Sequence, residues 1–267
     1  MTLLKITNKQ QEILLLIYKY RFLNRIQIQN LLNHKNKKNI NTWLKDLTEK
    51  KYLNRIYSNN IGENTKPAIY FTSINAIRYY RTTNLNSSSF KKLYRDSERS
   101  ESFITEQIFI ADICLYLLTI NTKGQINYSF ETTADVTSNQ QYIFMEDLSL
   151  RLILTKKIKG ETKQYILVTL NSTMPKYMVK KKIKNFLELF FSNEWEENTD
   201  QPFPTILFAC ETKALMIFAK KSAKYLKDDY QNPDDLELWF GMNEEIEERG
   251  IDAEIWEEAK VKYTPGE

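Results

Sequence analysis

The stretch NRIQIQNLLNHKNKKNINTWLKDLTEK, residues 24–50, decides the fold of the amino-terminal part of the chain. Asn24 followed by Gln27 is a capping-box pattern, which begins a short helix that the polar turn at residues 33–36 ends. A longer helix is predicted over Lys37 to Lys50, because apolar residues recur there at helical spacing: Ile40, Leu44 and Leu47. Two helices joined by a short polar turn are typical of a helix-turn-helix.

The flanking sequence extends this unit in both directions. Upstream, Thr7 and Gln10 predict a capped helix of about four turns with an apolar stripe of Ile13, Leu14, Ile17 and Phe22. Downstream, residues 53–57 and 67–71 alternate as two short strands around the polar loop 58–66. A fourth helix is predicted from Ser73 or Asn75, with Ala76, Ile77 and Tyr80 buried. We therefore predict a winged helix-turn-helix domain over residues 1–85 and a linker over 86–99.

Charge is distributed unequally along the chain, although the net charge is only +4. Residues 1–95 contain 18 Lys and Arg against 4 Asp and Glu, a balance of +14, whereas residues 96–267 contain 20 against 30, a balance of −10. Such a basic domain attracts polyanions, and nucleic acid is their commonest form. A lysine-rich coding bias would not confine the excess to one half.

The predicted groove-facing side of the third helix and the predicted wing supply the candidate DNA contacts. A helix fits the major groove of duplex DNA, and a wing reaches the adjacent backbone. Lysines bind phosphates, while Asn and Thr read base edges. The candidate helix residues are Lys37, Lys38, Asn41, Thr42 and Lys45. The candidate wing residues are Arg55, Asn59, Asn60 and Lys66. Trp43 is expected to pack beneath the wing.

Several classes of chemistry are excluded by composition. His34 is the only histidine, so a multi-histidine metal site cannot form within one chain, and we expect His34 to be a solvated turn residue. Cys114 and Cys210 lack neighbouring thiols and are expected to be buried. No phosphate-binding glycine loop is present. We expect no metal or cofactor, and, because no leader or bilayer-length apolar run is evident, a cytoplasmic location without membrane association.

The second half has a different order of predicted elements. A helix from Ser100 to Leu118, with Phe103, Ile104, Ile108, Ala111 and Leu115 buried, precedes three strands. The strands cover 126–131, then 142–145 continuing through 148–155, and 164–171. A basic helix over 175–191, a buried strand over 203–210, a helix over 212–226 and a strand over 236–240 follow. The chain is thus predicted to be a mixed α/β (α+β) protein, with an α-β-β-β-α-β domain over residues 100–267.

Three passages carry a resemblance to a known family: RFLNRIQIQNLL (21–32), INTWLKDLTEKKYLNRIY (40–57) and AIYFTSINAIRYY (68–80). They resemble the winged-helix half of the replication-relaxation family of plasmids and integrative elements. MarR-like and PadR-like winged helices match this half nearly as well. The second half resembles the PD-(D/E)xK nuclease core, with FPTILFAC (203–210) as its most recognisable piece. The resemblance implies a DNA-binding protein acting in replication, mobilisation or transcriptional control.

A working PD-(D/E)xK nuclease needs two carboxylates on adjacent strands to hold Mg²⁺. Asp147 or Asp135 supplies the first, but the third strand lacks an acidic residue near Val168 or Thr169. We therefore predict a domain that is not an enzyme. Two alternatives stay open: a Mg²⁺-dependent nuclease that recruits Glu106 or Asp112, and a winged-helix adaptor that binds protein.

Three further expectations concern surfaces and partners. The basic helix face with Lys176, Lys180, Lys181, Lys182 and Lys184 is expected to be solvated. Residues 228–267 carry 14 acidic residues among apolar ones, which favours an ordered strand and an acidic helix that binds a basic partner or acts as an autoinhibitory lid. A homodimer formed through the helix at 100–118 is expected, with replication or transfer proteins as further partners.

Overall fold

A computed structural model describes residues 3–57, 66–83, 85, 90–121, 126–145, 148, 150–228 and 235–260. The protein has mixed α/β architecture: amino-terminal helices with a small antiparallel three-stranded sheet, then a six-stranded mixed sheet with helices. The chain divides into two compact units. The first contains Met1–Leu115 with Ala134–Ser138, and the second contains Tyr116–Thr133 with Asn139–Glu267.

Helix α1 (Asn8–Tyr20) begins at the predicted capping box. The Thr7 hydroxyl accepts from the Gln10 backbone N–H, and the Gln10 side chain accepts from the Thr7 N–H at 2.8 Å. Ile13, Leu14 and Ile17 are fully buried, as predicted. Phe22 is also buried, but its placement in this helix was wrong. Arg21 has a φ of 67° and ends the helix, so Phe22 lies in an extended segment, β1 (Phe22–Asn24).

The second capping box is also confirmed, and it begins helix α2 (Arg25–Leu31). Asn24 Oδ1 accepts from the backbone N–H groups of Ile26 and Gln27. Helix α3 (Lys37–Glu49) begins after Asn36, whose side chain accepts from two backbone N–H groups of the first turn. The predicted apolar face is confirmed, because three side chains of α3 are fully buried: Ile40, Leu44 and Leu47.

The strands of the first unit form an antiparallel sheet in the order β1-β3-β2. Strand β2 (Leu53–Ile56) pairs with β3 (Ile69–Thr72) in a register that places Leu53 opposite Thr72. The predicted hairpin strands are therefore present, whereas β1 was missed by the sequence pattern because it is only three residues long. Helix α4 (Ile74–Tyr80) follows, with Ala76, Ile77 and Tyr80 buried as predicted.

Short helices occupy part of the segment that the sequence analysis assigned to a linker. Helix α5 (Phe90–Leu93) buries Phe90 and Leu93, and a 3₁₀ helix (Asp96–Glu98) buries Asp96. The Arg21 guanidinium donates to the Asp96 carboxylate, and it lies 4.8 Å from the centroid of the Phe103 ring. These contacts belong to the first unit, which includes the chain up to Leu115.

Helix α6 (Glu101–Asn121) is longer and more widely buried than predicted. Of its predicted core face only Ala111 is fully buried, and Cys114 is buried beside it, as expected for that cysteine. Because Phe109, Ile110 and Ile113 are also buried, apolar packing covers more than one side of the helix. By length and composition α6 is apolar enough to span a membrane, with mean hydropathy 1.7, but one such helix is a weak indication because core helices share this composition.

The six-stranded sheet of the second unit has the order β4-β5-β6-β7-β8-β9. Strands β4 to β6 are antiparallel, β6 to β8 are parallel, and β9 is antiparallel to β8. Helices α8 (Lys176–Ser192) and α9 (Glu194–Thr199) connect β6 to β7, and α10 (Lys213–Lys227) connects β7 to β8. The strands are β4 (Asn127–Thr132), β5 (Leu152–Ile158), β6 (Glu161–Leu170), β7 (Thr205–Cys210), β8 (Leu238–Met242) and β9 (Glu257–Glu258). The helices after α6 are α7 (Thr133–Ser138), α8 (Lys176–Ser192), α9 (Glu194–Thr199), α10 (Lys213–Lys227) and α11 (Asn243–Arg249).

Most of the strands and helices predicted for the second half of the chain are present, but the strand predicted over residues 142–145 is not. Strand β7 is buried along its whole length, including Cys210. Residues 142–145, predicted as a strand, lie in a 3₁₀ helix (Gln140–Met145). Tyr142 explains the difference, since its ring stacks on Trp195 at 6.0 Å and its hydroxyl donates to Glu131. The acidic segment is ordered over 235–260, as predicted, around buried apolar side chains such as Phe240 and Ile246.

Candidate functional site

The exposed face of α3 brings the candidate helix residues together. At about 100° per residue, Lys38, Asn41, Thr42 and Lys45 fall within an arc of roughly 100°, opposite the buried apolar stripe of the same helix. All four are exposed, and so is Lys37 in the first turn. The outer side of the helix therefore presents the ammonium groups of Lys38 and Lys45 with two short polar side chains, and Lys37 adds a third ammonium group outside the edge of this arc.

The beginning of α3 is fixed by a polar turn. Asn36 Oδ1 accepts from Lys38 N at 2.9 Å and from Asn39 N at 3.4 Å, which satisfies two backbone donors that the helix itself cannot pair. His34 lies in the predicted polar turn, and its side chain is half-buried. Its Nδ1 accepts from Asn36 N at 3.1 Å, and its ring packs edge-on against Trp43 with centroids 5.0 Å apart. Both aromatic rings support the turn, so Trp43 packs at the start of α3.

Contacts within the protein leave most of the lysine side chains of α3 available to a ligand. Within the described residues, no acidic side chain lies within ion-pair distance of Lys37 or Lys38. Lys45 Nζ lies 3.8 Å from the Glu49 carboxylate, in an exposed pair of the kind that contributes little. The Thr42 hydroxyl donates to the Lys38 carbonyl at 3.0 Å and retains its capacity to accept.

The acidic residue on the flank of α3 is neutralised by its neighbours. Asp46 Oδ2 accepts from Lys50 Nζ at 2.7 Å and from Gln10 Nε2 at 2.6 Å. The hydrogen bond from Lys50 is the main reason that the pKa of Asp46 lies below its usual value. This carboxylate is therefore held in contacts with α1 and with its own helix. The outer face of α3 keeps a net positive charge, because Lys37, Lys38 and Lys45 outnumber Glu49.

The hairpin contributes fewer described candidates. Arg55 is exposed on β2, opposite Tyr70 of β3, and Lys66 is exposed just before β3. Asn59 and Asn60 lie outside the described residues. Arg55 and Lys66 are thus the two wing candidates whose positions the structure gives.

Helix α2, which precedes α3, is anchored through Gln27. The Gln27 Nε2 donates to the Ile108 carbonyl at 2.9 Å and to Asp112 Oδ1 at 2.8 Å, while its Oε1 accepts from Asn24 N. The side chain is 2% exposed. A single glutamine therefore completes the cap of α2 and joins it to α6, a second role that the capping pattern alone did not reveal.

Two of the carboxylates considered as metal ligands, Asp112 and Asp135, have other partners. Asp112 accepts from Gln27, Asp135 pairs with Lys19 Nζ at 2.8 Å, and Asp147 lies outside the described residues. In β6, Val168 and Thr169 are buried, and Thr169 Oγ1 accepts from Arg151 Nε at 3.3 Å. Among the described residues, no three His, Cys, Asp or Glu side chains are grouped so that they would hold a metal ion.

An aromatic cleft of about 360 Å³ in the second unit was not foreseen. It lies on one face of the sheet, where side chains from β4 to β8 meet the loop 251–256. Trp256 is held by a hydrogen bond from its Nε1 to the Ile251 carbonyl and by its ring, which lies directly over Gly241. Because five strands contribute alternate residues, no local sequence pattern marks the cleft. Its aromatic lining residues are Tyr128, Tyr165, Trp239 and Trp256.

The polar rim of this cleft is paired internally. The Glu237 carboxylate accepts from the Thr205 hydroxyl at 2.5 Å and from Lys163 Nζ at 3.2 Å. Burial raises the pKa of Glu237, but these hydrogen bonds outweigh burial and leave the pKa below its usual value. The Glu237 charge is therefore compensated within the protein.

Comparison with known proteins does not add a family to this description. No protein-family model matches the chain, and no curated protein matches it by sequence. The resemblance to the replication-relaxation family therefore stays a prediction.

Proposed function

We propose that this chain is a sequence-specific duplex-DNA-binding protein of a plasmid or other mobile element. The observation that carries the proposal is the outer face of α3, where Lys37, Lys38 and Lys45 surround Asn41 and Thr42. Helices α1 to α3 and the β2–β3 hairpin then act as a winged helix-turn-helix unit. In this unit the lysines fix the helix on phosphates, and Asn41 and Thr42 read base edges.

The proposed docking follows from the dimensions of B-DNA. The major groove admits one α-helix, so α3 inserts with its apolar stripe turned towards α1 and α2. The hairpin then places Arg55 and Lys66 near the adjacent backbone. Asn59 and Asn60 complete this proposed set of contacts.

We propose that residues 100–267 form a PD-(D/E)xK-like domain that does not cleave DNA. The order α6-β4-α7-β5-β6-α8-α9-β7, with β6 and β7 parallel, supports the fold. The uncharged pair Val168 and Thr169 near the carboxyl end of β6 supports the loss of catalysis. A role in replication, mobilisation or transcriptional control and the recruitment of replication or transfer proteins rest on the resemblance. Homodimerisation through α6, which two half-sites on DNA would favour, and a cytoplasmic location complete the proposal.

The test is a salt series with a fluorescent duplex from the protein's own locus. Five described cations are assigned to phosphates: Lys37, Lys38, Lys45, Arg55 and Lys66. At about −0.9 per contact, they predict a slope of log affinity against log salt of roughly −4.5. Lys38→Glu/Lys45→Glu removes two contacts and changes the slope to roughly −2.7. The matched control is Lys91→Glu/Lys92→Glu, which makes the same charge change on α5 and keeps the wild-type slope.

Three results would contradict the proposal. Equal slopes for the α3 variant and the control would show that α3 is not the interface. Absence of duplex binding would favour the protein-interaction adaptor. Cleavage of the duplex in Mg²⁺ that Asp147→Asn abolishes would establish the nuclease instead.

A further inference from the structure

Helices α8 and α10 carry an unusual concentration of positive charge in an acidic half of the chain. Together they contain ten lysines and one acidic residue, Glu188. Residues 96–267 as a whole have a balance of −10. A uniform lysine bias would not collect cations on two helices, so this segregation calls for a functional explanation.

Half of these lysines are engaged within the protein. Lys227 is buried and donates to the Leu236 carbonyl at 2.7 Å, and Lys182 donates to the Thr169 carbonyl at 3.2 Å. Lys184 pairs with Glu188, and Lys213 and Lys220 share Glu257. The remaining five have no acidic side chain within ion-pair distance in the described parts of the chain. They are Lys176, Lys180, Lys181, Lys221 and Lys224.

Two large aromatic side chains next to these lysines are exposed to solvent. Tyr177 of α8 is 69% exposed and Tyr225 of α10 is 67% exposed, and both are among the most exposed large apolar side chains of the protein. An exposed tyrosine offers a flat ring face on which another ring can stack. Lysines alternating with free tyrosines match the pattern of surfaces that hold nucleic acid through both phosphates and bases.

The two helices are neighbours that run in the same direction. Both cross the same face of the sheet, because each connects parallel strands in sequence. Lys176 Nζ lies 5.3 Å from the centroid of the Phe218 ring, which aligns the start of α8 with the middle of α10. Residues three or four apart share a helix face. Lys180 therefore lies on the same side of α8 as Lys176, next to α10. Lys221 follows Phe218 by three residues and Tyr225 follows Lys221 by four, so both lie on the side of α10 that borders α8. The cations and the rings therefore form one continuous surface.

We propose that this α8–α10 surface, formed by Lys176, Tyr177, Lys180, Lys181, Lys221 and Tyr225, binds single-stranded nucleic acid. The lysines bind backbone phosphates, and unpaired bases stack on Tyr177 and Tyr225. A duplex keeps its bases stacked on each other and makes no use of the two rings. An acidic protein uses the lysines but gains little from stacking. This inference does not depend on duplex binding by α3.

The experiment is fluorescence anisotropy of the full-length protein with a labelled oligothymidine of about 20 nucleotides. Tyr177→Ala/Tyr225→Ala is expected to weaken binding by about tenfold or more, since stacking on each ring is lost. Lys180→Glu/Lys221→Glu is expected to flatten the salt slope by roughly 1.4, because each phosphate contact on a single strand contributes about 0.7. The control, Lys157→Glu/Lys159→Glu, makes the same charge change at the end of β5 and binds as the wild type does.

The outcomes separate this surface from the α3 interface. Lys38→Glu/Lys45→Glu is expected to retain oligothymidine binding, which supports a separate site. No oligothymidine binding by the wild type, or equal binding by the wild type and both α8–α10 variants, would overturn the inference whatever the duplex assay shows. Competition by polyglutamate together with full binding by the tyrosine variant would also overturn it and identify an acidic protein as the partner.

Discussion

Replacing Gln27 with Glu tests whether one side chain holds helix α2 against α6. The substitution preserves shape and keeps the oxygen that caps α2. It replaces the Nε2 donor with an oxygen that faces two acceptors, the Ile108 carbonyl and the Asp112 carboxylate. The matched control is Gln29→Glu on the same helix, because Gln29 accepts from Arg25 Nη1 at 3.2 Å and a carboxylate there keeps a donor.

The expected cost follows from the contacts that are lost. A neutral hydrogen bond contributes about 1 kcal/mol, and a bond to a charged group about 1.5–3 kcal/mol. Repulsion between the new carboxylate and Asp112 adds to this loss. Gln27 is almost fully buried, whereas Asp112 is exposed, so solvent screens part of the repulsion. We expect Gln27→Glu to lower the free energy of unfolding of the first unit by about 2 kcal/mol at neutral pH, and Gln29→Glu by less than about 0.5 kcal/mol.

The cost of Gln27→Glu also depends on pH. In the wild type, burial raises the pKa of Asp112, and the Gln27 hydrogen bond opposes that rise. In the variant, the new carboxylate at position 27 repels the Asp112 carboxylate instead of donating to it. One proton shared by the two carboxylates is therefore bound more tightly in the folded state than in the unfolded state, so the folded-state pKa is raised. A raised carboxyl pKa gives stability that is present below the unfolded pKa and lost as pH rises through the folded pKa. The difference from wild type should therefore shrink towards about pH 4.

The unfolding of the first unit can be followed separately by NMR in a urea series, because the Trp43 indole N–H signal reports on α3. The midpoint for Gln27→Glu should fall well below those of the wild type and Gln29→Glu at neutral pH. Equal midpoints for the two variants, or a deficit that grows on acidification, would refute the assigned role of Gln27.

Three further predictions use the same NMR assay. Asp96→Asn leaves Arg21 without its carboxylate, and since the Arg21 side chain is only 18% exposed, we expect a loss of about 2–3 kcal/mol; an unchanged midpoint would contradict this. Asn36→Ala removes the α3 cap and should cost about 1 kcal/mol, whereas Asn36→Asp should restore it. Gly241→Ala places a Cβ 2.9 Å from the Trp256 ring, so the Trp256 indole signal should move and stability should fall by about 1–3 kcal/mol; an unmoved signal would count against the close packing.

The sequence determined the helical part of the first unit because its signals are local. A capping box joins residues three apart, and the apolar stripe of α3 repeats every three or four residues, so Thr7, Asn24 and Ile40 were placed correctly. The lysines on the outer face of α3 were found for the same reason: the side opposite a buried stripe is exposed. The long parallel strands of the second unit were recognisable from continuous apolar runs such as β7.

Only the tertiary structure decided features that join distant parts of the chain. Strand β1 exists because β3 pairs with it, and residues 140–145 are a 3₁₀ helix because Tyr142 packs on Trp195. The second bond of Gln27 spans 81 residues to Ile108. The aromatic cleft and the α8–α10 surface combine residues from several elements. Local sequence carries backbone preference and periodicity, whereas such contacts depend on chain topology, which no short window of sequence contains.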